Sequence, residues 1–413
     1  MRLLENLRLA LKGLTANKLR AFLTMLGIII GVAAVITLLS VGKGVEAFVV
    51  EEFESLGKNL LFVVPGQFSP DQGPRRPAGG GLTNDDVAAL SDPFNVPDVV
   101  AVVPEFGRSA LVTYGGNDAR STVTGTTADF PFVRDFYPIA GTFFNEQDIA
   151  ANARVAVIGQ TVYEELFPNG ELPIGENIKI NNTNFRIIGL MESKGGSGFN
   201  DQDDLILIPL STAQRRLFQA RRSDGKFRVD FIYAKMANEE RQEAAIVEIE
   251  LTLRQTHDIR YRDEDDFTVV SQAEVVSAFG EVTNILTIFL GVIAGISLLV
   301  GGIGIMNIML VSVRERTREI GLRKAVGAKQ RDILWQFLVE AVMLSMLGGL
   351  IGLILGAVGA LVIAHYADSL RPTLAWDSVA LAITFSAAVG LFFGIYPASR
   401  AARLNPIDAL RYE

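Results

Sequence analysis

The chain of 413 residues contains four long stretches that are free of charge or nearly so, and 240 residues of ordinary polar composition separate the first from the second. The stretches cover residues 21–41, 282–313, 333–366 and 378–399, and Glu340 is the only carboxylate inside any of them. About 20 apolar residues in a helix cross the ~30 Å hydrocarbon core of a bilayer. Lipid offers no hydrogen-bond partner to the backbone, so each stretch has to be a helix. The pattern predicts an α-helical four-span bundle with a large mixed α+β extracytoplasmic domain inserted between spans one and two. Arg2, Arg8, Lys12, Lys18 and Arg20 precede the first stretch as they would in a signal peptide. Its apolar core is too long for that and no small-residue cleavage motif follows, so it reads as an anchor.

Charge sets the expected sidedness. Residues 1–42 hold five basic and one acidic side chain, residues 314–332 seven and three, and the tail at 400–413 three and two. Short segments rich in Lys and Arg stay in the cytoplasm, which places both termini there. The insertion at 42–281 carries 22 basic and 37 acidic residues, and the hairpin at 367–377 has one basic and two acidic, so both belong outside. A domain this acidic repels phosphate backbones, which excludes nucleic acid as its partner.

The residue inventory removes much chemistry. There is no cysteine, and with only two histidines, His257 and His365, any histidine-based triad or multi-histidine zinc site would have to be assembled from one or two residues. The Gly-Lys pairs at Gly42, Gly57 and Gly225 lack the rest of a phosphate-binding loop. No catalytic residue, metal site or resident cofactor is expected, and the chain is not expected to be an enzyme by itself. Glycines 301, 302 and 304 follow no strand, which removes a dinucleotide fingerprint. The acidic clusters at Asp201, Asp203, Asp204 and at 263–266 lack calcium-loop spacing and read as solvated surface. His257, beside Asp258, reads as a surface residue.

Leu3, Leu4, Leu7, Leu11 and Leu14 recur at helical spacing opposite Arg8, Lys12 and Lys18, predicting an amphipathic helix in the inner interface over residues 1–20. Small residues four apart recur in every span, at Gly27 and Gly31, Gly291 and Gly295, Gly348, Gly352 and Gly356, and Gly390 and Gly394. That spacing lets helix backbones approach closely and predicts a packed bundle. Glu340 lies about 14 Å along a helix from Arg331, so pairing or snorkelling is expected rather than a proton relay. In the insertion, strands are predicted at 60–64, 99–103, 154–158, 178–180, 185–188, 205–208 and 228–233, and helices at 83–90, 161–167, 211–218 and 239–256. Residues 68–81 read as a linker and 193–198 as a mobile loop.

These motifs accumulate into one family. Asn17-Lys18-Leu19-Arg20-Ala21-Phe22-Leu23-Thr24-Met25-Leu26-Gly27-Ile28 resembles the opening of a MacB-type ABC transporter permease. Gly57-Lys58-Asn59-Leu60 with Val64-Pro65-Gly66, Gly141-Thr142-Phe143-Phe144, Val155-Ala156-Val157-Ile158-Gly159 and Pro173-Ile174-Gly175 resemble its periplasmic core domain. Arg314-Glu315-Arg316-Thr317-Arg318-Glu319-Ile320-Gly321-Leu322-Arg323-Lys324-Ala325-Val326-Gly327-Ala328 and Tyr396-Pro397-Ala398 are similar to the FtsX-like permease signature.

The resemblance implies a permease in the bacterial inner membrane that works as a homodimer or heterodimer. Its cytoplasmic loop at 314–332 would hold a coupling helix that seats on an ABC ATPase. The coupling residues carried over are Glu319, Ile320, Gly321, Leu322, Arg323, Lys324, Ala325, Val326, Gly327 and Ala328. Ile320, Leu322 and Val326 are needlessly apolar for a solvated anchor loop. ATP and magnesium would belong to the partner ATPase, expected as a separate chain because only 20 residues precede the first span. A membrane-fusion adaptor is a further implied partner. The outer domain is expected to divide into a porter-like part at 45–120 and 214–280 and an inserted lobe at 121–213. The implied function is mechanotransmission: ATP-driven motion of the external domain that exports amphiphiles, peptides or antibiotics. Lipoprotein extraction and FtsX-like regulation of a cell-wall hydrolase are the alternatives.

Overall fold

The computed structural model describes residues 18–69, 73–75, 81–197, 200–366 and 376–410. The interfacial helix expected at 1–20 falls almost wholly outside them, as do most of the 367–377 hairpin, the end of the tail and parts of the 68–81 linker. In chain order, helix α1 (Lys18–Ser55) leads to strand β1 (Leu60–Pro65), α2 (Asn84–Leu90), β2 (Val99–Tyr114) and β3 (Asn117–Thr126). Then come α3 (Phe130–Arg134), β4 (Pro138–Gly141), β5 (Val155–Ile158), α4 (Gln160–Leu166), β6 (Asn177–Ile180), β7 (Thr183–Met191) and β8 (Leu205–Pro209). The outer region closes with β9 (Phe231–Met236), α5 (Gln242–Thr256) and β10 (Phe267–Ser271). Helices α6 (Gln272–Glu315), α7 (Thr317–Ala325), α8 (Gln330–Tyr366), α9 (Trp376–Ala402) and α10 (Pro406–Leu410) complete the chain.

The chain forms two compact units, Met1–Phe48 with Phe279–Glu413, and Val49–Ala278. The unit boundaries fall inside α1 and α6. Among the described residues, four helices are long and apolar enough to cross a membrane: α1, α6, α8 and α9.

In the helical unit the core is built on one stripe of each helix. Ile28, Val32 and Ile36 of α1, Leu298, Ile305 and Met309 of α6, and Ile333, Phe337 and Leu344 of α8 are buried together. These spacings of four and seven put one face of each helix inward. Glycine sets how closely the helices approach. A methyl carbon added to Gly352 or Gly356 of α8 would stand 2.8 Å from the carbonyl of Ile29 or Ala33 in α1, and one on Gly31 would stand 3.1 Å from Leu298 Cγ. Gly348 is looser, at 3.3 Å from Ile28. Across the α8 and α9 contact, a methyl carbon on Gly394 would fall 2.6 Å from Ala341 Cβ, and one on Gly390 2.8 Å from Val342 Cα. Gly291 and Gly295 differ: among the described residues an added carbon there meets nothing within 4 Å, so no helix of this chain packs against them. These two floor an apolar groove lined by Val35, Leu39, Leu381 and Phe385. The partner glycine that pattern reading missed is Gly301, which packs on Gly27 and Ile28.

The Val49–Ala278 unit is organised on a ten-stranded sheet in the order β10-β1-β9-β2-β3-β8-β5-β7-β4, with β6 pairing β2 and β7. The period of two along β1 sends Leu61 and Val63 to a core under α2 and α5, and Leu60 and Phe62 to the opposite face beside Val103 and Tyr233. All seven predicted strands are present. Those not predicted include β3, whose buried Ser121, Thr124 and Thr126 hide it from an apolar-run criterion, as well as β4, β10 and the far half of β2.

The division expected after residue 120 cuts through β3. The structure places the switch inside β2, where Glu105 ends the pairing with β9 and Phe106 begins the pairing with β3. The core of the second lobe gathers residues from Phe106 to Ala213, with Leu217, Phe218 and Ala220 packed against it. Side chains bind the switch. Arg134 Nη1 donates to Glu105 at 3.2 Å and the Tyr233 hydroxyl donates at 3.3 Å, while Asp230 accepts from Gly107 N at 3.1 Å and Arg108 at 2.6 Å. Burial, only partly offset by Arg134, pushes the Glu105 carboxyl above its usual range.

Candidate functional site

The coupling segment expected at 319–328 is helical from Thr317 to Ala325 and then stops. Gly327 has φ +108°, its N–H donates to Lys324 O at 3.1 Å, and Ala328 N–H donates to Arg323 O at 3.0 Å. This reciprocal pair of bonds, closed by a residue in the left-handed region, is a Schellman cap. Val326, Gly327 and Ala328 therefore form the cap.

One face of α7 is anchored. Thr317, Ile320 and Gly321 are buried, and a methyl carbon on Gly321 would stand 2.7 Å from Ala409 Cβ in α10. Lys324 Nζ donates to Ala402 O at 2.9 Å and also to Leu404 O, which places a cation on the carbonyl end of α9. Arg323 donates to Gln336 at 2.7 Å and pairs with Glu319 at 2.5 Å one turn earlier. Beneath the helix, Arg316 pairs with Glu340 at 3.3 Å, so the one carboxylate inside a span has a cationic partner.

The other face is exposed among the described residues. Leu322 is 58% exposed and Val326 84%, four residues apart and in line with Arg318 and Ala325. Of the three apolar residues expected to be displayed, Ile320 is 2% exposed and belongs to the internal core. An i, i+3, i+4 count from the buried Thr317 would have separated the two faces.

Three expectations for the outer unit are corrected. His257 is a partly buried bridge, with Nε2 at 3.1 Å from Asp86 of α2 and Nδ1 at 2.6 Å from Asp266 ahead of β10. Burial works against its charge, but the hydrogen bonds to Asp266 and Asp86 outweigh that and lift its pKa to about 9. Asp86 is buried too, yet hydrogen bonds from His257 and Thr256 hold its carboxyl below the usual range. Asp203 is not solvated surface: it is 4% exposed and accepts from Lys194 N at 2.8 Å and Gly195 N at 3.0 Å. Those bonds also pin the start of the loop expected to be mobile. Residues 198 and 199 lie outside the described residues.

A helical unit with four membrane-length helices, joined to an α/β unit placed between the first and second of them, defines a multi-pass membrane protein with a large extracellular domain. Residues 21–251 match the family described as MacB-like periplasmic core domain, and residues 291–406 match the FtsX-like permease C-terminal family. The chain belongs to the MacB-like permease family. The macrolide export ATP-binding/permease protein MacB of Marinobacter nauticus is 40% identical over 410 residues, covering 99% of this chain and 61% of the relative. The pyoverdine export ATP-binding/permease protein PvdT of Pseudomonas entomophila is 40% identical over 416 residues, covering 100% of this chain and 60% of the relative. The chain thus spans about three fifths of the length of these curated relatives. The crystal structure of the periplasmic region of MacB from Actinobacillus actinomycetemcomitans aligns with a TM-score of 0.45 at 18% identity, covering 56% of this chain and 97% of that one.

Proposed function

We propose that this chain is the permease of an ABC exporter and works by mechanotransmission. An ABC ATPase on the cytoplasmic side grips the displayed face of α7. Its closure on ATP and magnesium displaces α7, the close-packed helices tilt, and α1 and α6 carry the displacement to the extracellular unit of a permease dimer. The substrate need not pass between the helices: the extracellular units, with an adaptor protein, move an amphiphile, peptide or antibiotic onward.

The observation that carries this reading is the two-faced α7. Its inner face is fixed by Ile320, Gly321 and Lys324, so a push on the helix moves α9 and α10 with it instead of bending a loop. Its outer face presents Leu322 and Val326 as a small apolar knob among charges, the form of anchor that a groove on a partner accepts. Two relatives at 40% identity carry names that join export with ATP binding, which favours export over hydrolase regulation.

The test is ATP hydrolysis by the complex with its ATPase in lipid, comparing the native chain with Leu322→Glu and Val326→Glu together. Both positions are exposed, so the fold should survive the change. Loss of ATPase binding or stimulation supports the reading, and unchanged stimulation overturns it.

A further inference from the structure

The last four carbonyls of a helix have no partner within it, and at the end of α1 the Val49–Ala278 unit supplies partners from three separate segments. Lys194 Nζ, from the loop after β7, donates to Ser55 O. Arg134 Nε, from α3, donates to Leu56 O at 3.0 Å. Gln272 Nε2, at the start of α6, donates to Phe53 O and, at 3.0 Å, to Gly57 O. Gln202 Nε2 adds bonds to Ser55 Oγ at 2.6 Å and Glu52 at 3.2 Å. Gly57 turns the chain at φ +123°, where a methyl carbon would fall 2.8 Å from Val133 O.

Lys194 ties these parts together. Besides Ser55 O it donates to Arg134 O at 2.8 Å, and its ammonium lies 5.0 Å from the centre of the Phe136 ring. Its backbone is held by Asp203, whose carboxylate also accepts from Ser193 Oγ. Arg134, Gln202 and Asp203 are each at most 9% exposed, so this is a buried polar seat and not a surface cap. Burial first and the nearby Arg134 second bring the Lys194 amine down to about 8.

We propose that Lys194 is a positioning residue that fixes the end of α1 to the sheet, so that any displacement of α1 is delivered to the 193–203 loop and to the strands β7 and β8 on either side of it. The purpose assigned to this seat rests on the mechanotransmission reading, but its existence does not. A plain helix cap would leave the loop indifferent to α1. Here one side chain joins the helix end, α3 and the loop between two central strands.

The experiment is amide hydrogen exchange on the full chain in lipid nanodiscs, comparing Lys194→Met and Lys194→Arg with the native protein. Methionine keeps the bulk and removes both hydrogen bonds. Exchange should rise about tenfold over residues 51–57 and 193–203 in Lys194→Met, stay unchanged over 99–126 and 242–256, and return close to native in Lys194→Arg. No change in Lys194→Met, or an equal rise across the whole unit, overturns the proposal. With the ATPase bound, ATP and vanadate should shift the exchange of residues 193–203 in the native and Lys194→Arg complexes and not in Lys194→Met. A shift that persists in Lys194→Met overturns the proposal as well. If the native complex shows no nucleotide response, the mechanotransmission reading fails, and the seat is judged on the first comparison alone.

Discussion

Gly27 of α1 and Gly301 of α6 meet backbone against backbone: a methyl carbon on Gly27 would stand 2.9 Å from Gly301 Cα, and one on Gly301 would stand 2.9 Å from Ile28 N. Neither chain can give way without moving a helix. Gly27→Ala and Gly301→Ala should each lower stability by about 1–3 kcal/mol, the usual cost of overpacking. Gly291→Ala, with open space around it, should be neutral or gain up to about 1 kcal/mol from helix propensity. Thermal unfolding midpoints in detergent separate the two sets. Equal shifts at all three positions would show that the Gly27 and Gly301 contact does not order the bundle.

The Schellman cap at Gly327 holds the end of α7 where Leu322 and Val326 are displayed. At φ +108° a side chain is strained, so Gly327→Ala should cost about 1 kcal/mol. The loss should be seen as faster amide exchange confined to residues 322–328. Unchanged exchange there would mean that the cap does not hold the helix end.

Arg316 and Glu340 should be coupled in stability. Removing one partner leaves the other charge partly buried, at 27% and 11% side-chain exposure, so Arg316→Met should destabilise more alone than in the presence of Glu340→Gln. A double-mutant cycle by thermal unfolding should give a coupling of about 1–2 kcal/mol. Strict additivity would show that Glu340 owes nothing to Arg316.

The His257 bridge makes the outer unit sensitive to alkali. The imidazole pKa is about 9 in the folded chain against an ordinary 6.5, so the folded state binds more protons between those values. The stabilisation is complete below about pH 6.5 and is lost as pH rises through 9. With solvent screening it amounts to about 1–2 kcal/mol. Amide exchange over 84–90 and 242–256, corrected for the intrinsic effect of pH, should report a loss of protection between pH 6.5 and 9 in the native chain. His257→Gln should show a flat profile, and equal profiles would sink the assignment.

The four membrane helices, the inserted position of the α/β unit and its apolar strands were legible in the sequence because each rests on a local pattern of hydrophobicity. What was not legible depends on partners distant in the chain. Gly291 and Gly295 have the same spacing as Gly352 and Gly356, yet only the latter face a neighbouring backbone. His257 looked solvated beside Asp258 because Asp86 lies 171 positions away, and nothing local announces that carboxylate. In α7, the resemblance to the FtsX-like signature put forward Glu319 to Ala328 as the coupling segment but could not tell the buried Ile320 from the displayed Val326. The lobe boundary was misplaced because β2 is continuous in sequence and changes partner midway, at Glu105 and Phe106.

The most direct measurement of the central claim is photocrosslinking from a benzophenone side chain placed at Val326, which is 84% exposed, in cells and in the reconstituted complex. The mechanotransmission account predicts a crosslink to an ABC ATPase whose yield changes when ATP and vanadate trap the closed state, and none from a benzophenone at Gly291. A crosslink from position 326 only to lipid, or one indifferent to nucleotide, would contradict it.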